Sequence, residues 1–129
     1  MAVIVRHADA EWQGDLRKGR GIINTPSTVL SRVPYSFSTR FENEPGTNPE
    51  ELIAAAHAAC YSMAFANFLT QKGYQPQSIA TEAAISLERR ENGFVIFKNK
   101  LAVRGQVPGL DAERHILCLM QSPNTSEGG

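Results

Sequence analysis

Cysteine is scarce in this sequence, since Cys60 and Cys118 are the two cysteines among 129 residues. Two thiols are too few for a disulfide-rich secreted fold, and the apolar run that follows Met1 is too short for an export signal. We therefore expect the protein to lie in the reducing cytoplasm. There, a thiol is either buried and inert or redox-active.

Net charge is also lacking, because 13 Lys and Arg residues balance 13 Asp and Glu residues. A balanced charge gives no general reason to expect a nucleic-acid partner or an anionic membrane. The pattern of metal ligands is missing as well, since His7, His57 and His115 form no ligand pair with one another or with the cysteines. We expect neither a metal nor a cofactor.

What the sequence does contain is a long uncharged segment, from Leu52 to Gln71. Signals for the start and the stop of a helix flank this segment: Asn48, Pro49 and Glu51 before it, Gly73 and Pro76 after it. The sequence therefore predicts one helix of about 24 residues. A helix this apolar should be buried on most of its circumference.

The same segment is long enough to raise a transmembrane interpretation. Much of its hydrophobicity comes from alanine, however, and five polar side chains would lie in lipid without evident partners: His57, Ser62, Asn67, Thr70 and Gln71. We therefore expect no membrane span and a buried central helix instead. A small sheet cannot cover such a helix on all sides, so a second copy of the chain is its expected cover.

Strand patterns surround the helix and predict an α+β fold. The predicted strands are Val3–Gln13, Gly21–Thr25, Tyr35–Phe41, Ile79–Arg90 and Phe94–Val103, the last two joined by an Asn92-Gly93 hairpin turn. In the third strand, alternation places Tyr35, Phe37, Thr39 and Phe41 on one face and Arg40 on the other. Asp111 should cap a short helix, Ala112–Met120, and the residues from Ser122 onward have the composition of a disordered tail.

Cys60 lies in the middle of the long helix. A thiol in apolar surroundings is inert unless a positive group stabilises its thiolate, and Arg40 is the best candidate for that group. Arg40 in turn needs a carboxylate. At about 100° per helical residue, Glu50 lies about 80° around the axis from Cys60 and Glu51 about 180°, which favours Glu50.

Other interpretations stay open on spacing alone. Glu50 and Cys60 are separated by about 15 Å along the helix axis, so either Arg40 spans much of that gap or one of the three residues comes from a second subunit. Cys60 could also be a packing residue, with Arg40 a surface cation and Glu50 an acid that compensates the helix dipole. His57, one turn before Cys60, fits either a Cys–His nucleophile pair or a hydrogen-bonded core histidine.

Five motifs in unbroken order resemble a known family. They are Trp12-Gln13-Gly14-Asp15, Thr39-Arg40-Phe41, Gly46–Leu52, Ala56–Met63 and Val107–Asp111. Together they closely resemble the osmotically inducible protein C family, which includes the organic hydroperoxide resistance proteins. The similarity covers roughly residues 8 to 114.

The resemblance implies a thiol peroxidase. By matching positions, Cys60 is the cysteine that attacks an organic or inorganic hydroperoxide and becomes a sulfenic acid, Arg40 stabilises its thiolate, and Glu50 orients the arginine. Family members are intertwined homodimers with both active sites at the interface. The implied partners are a second copy of the chain, a hydroperoxide substrate and a thiol or dithiol reductant.

The C-terminus departs from the family pattern, which continues with a longer helix, a second cysteine and a final strand. Here Ser126 stands about where that cysteine is expected, and the sequence predicts no final strand. We therefore divide the chain into a peroxidase-like domain, 1–114, and a divergent tail, 115–129. Cys118 is the remaining candidate for a resolving thiol. The functional alternative is a catalytically impaired homologue that acts as a dimeric scaffold or binds a hydrophobic ligand.

Overall fold

The computed structural model describes residues 2–91, 93–109 and 114–120, with the backbone alone at 89, 90, 94–97 and 114–120. Its elements in chain order are β1 Asp9–Gln13, β2 Arg20–Asn24, β3 Val33–Tyr35, α1 Phe37–Phe41, α2 Pro49–Gln71, β4 Ser78–Arg90, β5 Gly93–Gln106 and β6 Arg114–Met120. The predicted α+β class is confirmed, with two antiparallel sheets and a long helix. The chain divides into two compact units, Met1–Pro49 and Glu50–Gly129.

The first unit contains the sheet β1-β2-β3. A cross-strand row runs through Trp12, Gly21 and Tyr35, which are paired in register, and the rings of Trp12 and Tyr35 lie 5.5 Å apart. A side chain at Gly21 would collide with both rings, since an added Cβ would lie 2.5 Å from Tyr35 and 2.8 Å from Trp12. The glycine therefore lets the two aromatic rings meet above the middle strand.

The first predicted strand is shorter than expected. β1 begins at Asp9, and residues 2–8 have no regular structure in the single chain. The β-branched run Val3, Ile4 and Val5 is exposed. Local β propensity predicted the longer strand, but a strand forms only where a partner strand supplies backbone hydrogen bonds.

The predicted strand Tyr35–Phe41 is wrong beyond its first residue, because the chain turns into helix α1 at Phe37. Ser36 caps this helix: its hydroxyl accepts a hydrogen bond from the Thr39 backbone N–H, while the Thr39 hydroxyl accepts one from the Ser36 backbone N–H. The Phe37 and Phe41 rings, one turn apart, pack edge to face at 5.0 Å. Local capping and an i, i+4 aromatic pair thus outweigh the alternating pattern.

Helix α2 has the predicted bounds almost to the residue. It begins at Pro49, as expected of a proline at the first helical position, and ends at Gln71. Gly73 follows with φ of +92°. The Gly73 N–H donates to the Thr70 carbonyl and the Tyr74 N–H to the Leu69 carbonyl, which is the hydrogen-bond pattern of a Schellman motif.

Little of α2 is buried in the single chain, and its expected cover by a second copy stays a prediction. Leu69 and Glu50 are its buried residues, and 6% of its most apolar window is buried. By length and composition alone this helix is also apolar enough to cross a membrane, with a mean hydropathy of 1.4. An amphipathic helix needs one cover; α2 is apolar around its circumference, so one small sheet leaves much of it uncovered.

The second unit contains the sheet β4-β5-β6. The predicted hairpin is confirmed: β4 and β5 pair from Ser78↔Gln106 to Arg90↔Gly93. Asn92 of the predicted turn lies outside the described residues, while Gly93 has φ of +130°. Alternate residues of β5 and the loop after it are buried and form most of the core of this unit: Leu101, Val103 and Val107.

The predicted C-terminal helix and the predicted lack of a final strand are both wrong. Residues Arg114–Met120 form β6, which pairs antiparallel with β5 from Gly105↔Arg114 to Asn99↔Met120. The expected cap, Asp111, lies outside the described residues. A helix of about two turns is marginal by itself, whereas the free edge of β5 offers this apolar, β-prone segment a ladder of backbone hydrogen bonds.

Candidate active site

Cys60 lies midway along α2 and is exposed in the single chain. The alternative interpretation of Cys60 as a packing residue therefore does not fit the chain alone. Its helical position explains the exposure, because α2 presents its opposite side to the sheet of the second unit. Cys60 is an accessible sulfur, which a nucleophile needs.

The exposed side of α2 is a continuous stripe with Cys60 near its centre. We call this the cysteine stripe, and its members, which share one helical face at about 100° per residue, are Ile53, Ala56, Cys60, Met63, Ala64 and Asn67. Met63, one turn after Cys60, is 78% exposed. Small side chains beside the thiol would let another backbone approach closely.

Two hydrogen bonds join α2 to the sheet of the second unit, one from the side opposite Cys60 and one from a position about 60° around the axis from it. The Ser62 hydroxyl lies 2.6 Å from the Thr81 hydroxyl of β4, and His57 Nδ1 lies 3.0 Å from Asn99 Oδ1 of β5. The histidine is therefore a hydrogen-bonded, half-buried group, as one of the two interpretations of the sequence held. Asn99 was missed, since nothing in its local sequence marks it as a partner of a residue on α2.

Arg40 lies in α1, in the first unit, and not on a strand. Its guanidinium carbon is 5.0 Å from the centre of the Phe41 ring, and that of Arg17 is 4.7 Å from the Phe37 ring. Both distances fall in the range of cation–π contacts. The helical turn explains why Arg40 accompanies the aromatic residues instead of opposing them, because positions 37, 40 and 41 share a helical face.

An aromatic groove of about 200 Å³ lies beside Arg40 within the first unit. Its lining consists of Trp12, Leu16, Tyr35, Ser36, Phe37, Arg40 and Phe41. The polar groups of these residues are the Arg40 guanidinium, the Trp12 indole N–H and the hydroxyls of Tyr35 and Ser36. The alternating aromatics of the sequence signalled an apolar face here. They did not signal that Arg40 would join it, because that depends on the helical turn at Ser36.

Glu50 lies in the first turn of α2 and is 8% exposed. Burial of a carboxylate so close to a helix start is unusual unless polar groups or charges compensate it. Within α2, Glu50 and Cys60 lie about 15 Å apart along the axis, so the helix itself does not bring them together. Arg40 belongs to the first unit, and Glu50 and Cys60 belong to the second. The role assigned to each stays a prediction.

Cys118 lies in β6, where its backbone pairs with that of Leu101. Its side chain is outside the described part of the structure, so its role as a resolving thiol also stays a prediction. Among the described residues, no group of three or more His, Cys, Asp or Glu side chains is arranged to hold a metal ion.

The chain with this α+β fold and an accessible cysteine on its long helix is similar to known proteins. The sequence profile of the OsmC-like protein family matches residues 41–120. This chain therefore belongs to the OsmC-like family.

Two curated relatives carry the name Peroxiredoxin OsmC, one from Escherichia coli (strain K12) and one from Shigella flexneri. Each is 50% identical to this chain over 109 residues, which is 84% of the chain and 76% of the relative. The boundary between a family-like domain and a divergent tail at residue 114 stays a prediction.

Proposed function

We propose that this protein is a cysteine-based thiol peroxidase that reduces hydroperoxides through a sulfenic acid at Cys60. The observation that carries the proposal is the exposed thiol in the middle of α2, in a chain that is 50% identical over 109 residues to a protein named Peroxiredoxin OsmC. The cysteine mechanism rests on the chemistry of thiolates, which attack the weak O–O bond of a peroxide.

The proposed first step is a displacement at oxygen. The Cys60 thiolate attacks one peroxide oxygen, the S–O bond forms and the O–O bond breaks. Sulfur is oxidised to the sulfenic acid, and the hydroperoxide is reduced to an alcohol, or to water when the substrate is hydrogen peroxide. A thiol reductant then attacks the sulfenic sulfur and releases water, and a second thiol of a dithiol frees Cys60.

Arg40 and Glu50 are the proposed electrostatic partners of Cys60. A guanidinium keeps its charge at any physiological pH and favours both the thiolate and the alkoxide that develops as the O–O bond breaks. The aromatic groove beside Arg40 supports an organic substrate, since its apolar wall suits an alkyl or aryl group while the guanidinium stays close to the polar end. The carboxylate of Glu50 is proposed to hold the arginine in place.

The proposed active form is a homodimer. The cysteine stripe exposes Ile53 and Met63 around the thiol, and soluble monomers rarely leave so continuous an apolar surface uncovered. A second copy has the same small residues at the same helical positions, which suits a two-fold contact between identical helices. A dimer also allows one copy to supply a site residue to the other.

A coupled assay with a dithiol reductant tests the proposed activity. The wild-type protein is expected to consume cumene hydroperoxide and hydrogen peroxide catalytically, and Cys60→Ser is expected to lose that activity. Ala59→Ser is the matched control, because it adds the same hydroxyl at the neighbouring exposed position. A wild-type protein that consumes neither peroxide would favour the impaired, ligand-binding homologue instead.

A further inference from the structure

A hydrogen bond to the sheet selects one of the two tautomers of the neutral His57 ring. Its Nδ1 atom lies 3.0 Å from Oδ1 of Asn99 on β5. An amide oxygen accepts hydrogen bonds and cannot donate them, so Nδ1 must carry the proton. The neutral imidazole then has a free lone pair on Nε2, which makes that nitrogen a proton acceptor.

The residues paired with Asn99 and its neighbour Leu101 carry no formal charge, although one of them is titratable: in β6, Met120 pairs with Asn99 and Cys118 pairs with Leu101. Asn99 pairs in register with Ile85 of β4, and Ala83 and Leu101 are the next residues on the same face. All are uncharged. The lysines next to Asn99 in sequence, Lys98 and Lys100, lie on the opposite face of the strand. Along α2 itself, the titratable residues within about two turns of His57 are Cys60 and Tyr61 after it and Glu50 and Glu51 before it.

Cys60 follows His57 by three residues on the same helix. Side chains at this spacing are neighbours, with Cβ atoms about 5–6 Å apart. Helical side chains also lean towards the N-terminus, so Cys60 leans towards the turn that carries His57. By this spacing and the bond to the sheet, Cys60, His57 and Asn99 are candidates for a nucleophile, its base and a residue that orients the base.

We propose that His57 is the proton shuttle of Cys60, with Asn99 as its positioning residue; this rests on the peroxidase function proposed above. Nε2 takes the proton of the Cys60 thiol and leaves a thiolate beside an imidazolium. The thiolate attacks the hydroperoxide, the S–O bond forms and the O–O bond breaks. The departing alkoxide takes the proton back from Nε2 and leaves as an alcohol, so that His57 returns to its neutral form and the atoms and charges balance.

Two rate measurements test the shuttle, and all variants carry Cys118→Ser so that Cys60 is the single thiol. The first is the rate of iodoacetamide alkylation as a function of pH, which requires no peroxide. The second is the rate of sulfenic acid formation with hydroperoxides whose alcohol products differ in acidity. A general acid matters most for the poorest leaving group, so losing it steepens the dependence on that acidity.

His57→Gln keeps a polar side chain that can still bond Asn99 but cannot accept the thiol proton. It is expected to slow alkylation near neutral pH about tenfold and sulfenic acid formation about 10²-fold, the lower end of the range for general acid–base catalysis. Asn99→Leu should also slow both reactions, but by less than His57→Gln does. Asn99→Asp keeps the acceptor and should restore alkylation to at least the rate of the parent.

Ser62→Ala is the matched control, because it removes a second side-chain hydrogen bond between α2 and the sheet, the one to Thr81. It is expected to change both rates less than twofold. Equal losses in Ser62→Ala and Asn99→Leu would overturn the shuttle and leave His57 as a structural pin, as would an unchanged leaving-group dependence in His57→Gln. If alkylation depends on His57 while no variant consumes peroxide, the proposed peroxidase function fails and the base role of His57 stands.

Discussion

At the scale of single residues, the reactivity of Cys60 depends on what stabilises its thiolate. The sequence singled out Arg40, and the structure places this residue in a groove of aromatic side chains where its guanidinium lies 5.0 Å from the Phe41 ring. An exposed thiol in water has no particular advantage as a nucleophile at neutral pH. A cation fixed beside the sulfur stabilises the thiolate and so raises the fraction of the reactive form.

Arg40→Met is therefore expected to slow the alkylation of Cys60 by iodoacetamide near neutral pH about tenfold, since the thiolate fraction governs the rate. Arg17→Met is the matched control, because Arg17 makes the same kind of contact with the neighbouring Phe37 ring. Equal alkylation rates in the wild type and in Arg40→Met, over the whole pH range, would show that Arg40 does not stabilise the Cys60 thiolate.

Glu50→Gln is expected to lower peroxidase activity less than Arg40→Met does. The amide keeps the size of the side chain and leaves the cation in place, so the change disturbs orientation more than charge. Because Glu50 is buried, thermal unfolding must be measured alongside the rate. A larger loss in Glu50→Gln than in Arg40→Met, at unchanged melting temperature, would reverse the assigned roles.

One equivalent of hydroperoxide is expected to leave Cys60 as a sulfenic acid that dimedone traps, with little Cys60–Cys118 disulfide. The backbone of Cys118 in β6 is paired with that of Leu101 in β5, and a disulfide requires Cα atoms within about 7 Å of each other. Mass spectrometry of the treated protein distinguishes the two products. A dominant loss of two protons with a linked Cys60–Cys118 peptide would restore a two-cysteine cycle.

At the scale of elements, helix α1 depends on its cap. Five residues are too few for a stable helix by propensity alone, so the reciprocal hydrogen bonds between Ser36 and Thr39 hold the turn that carries Arg40. The strand that the sequence predicted would have had no such link between a helix cap and the proposed site residue Arg40.

Ser36→Ala should lower the free energy of unfolding by about 1 kcal/mol, the usual cost of losing a serine cap. It should also slow alkylation of Cys60, because Arg40 loses its fixed position. Ser31→Ala, in the exposed loop before β3, is the control. Denaturant unfolding and the labelling rate report the two effects separately, and a stability loss with unchanged labelling would uncouple the cap from the site.

At the scale of the whole molecule, the exposed side of α2 needs a cover. The helix is apolar around its circumference, and 6% of its most apolar window is buried in the single chain. Leaving such a surface in water is costly at about 25 cal/mol per Å² of apolar area. The proposed association of two copies through the cysteine stripe would remove much of that cost.

We expect light scattering to return about twice the 14.1 kDa chain mass at micromolar concentration. Met63→Glu, one turn after Cys60 in the cysteine stripe, should shift the protein towards monomer. Ala55→Glu introduces the same charge at an exposed position of α2 outside the stripe and should leave the dimer intact. A wild-type protein that is monomeric at this concentration would contradict the proposed dimer.

The sequence by itself determined the features that local chemistry governs. Pro49 at the start of α2 and Gly73 after its end, like the Gly93 turn between β4 and β5, require particular backbone angles or hydrogen-bond patterns that neighbouring residues specify. The family likewise followed from motifs around Arg40 and Cys60. Such signals span only a few residues, so no knowledge of distant contacts is needed to interpret them.

Tertiary structure alone decided the features that depend on a partner. Residues 114–120 became a strand because the edge of β5 was available to pair with them, and residues 2–8 stayed irregular because no described strand pairs with them. His57 found Asn99, which is 42 positions away in the chain. Backbone pairing and side-chain hydrogen bonds stabilise contacts between residues that are far apart in the sequence. The conformational preference of a short segment does not depend on such distant partners and therefore cannot predict them.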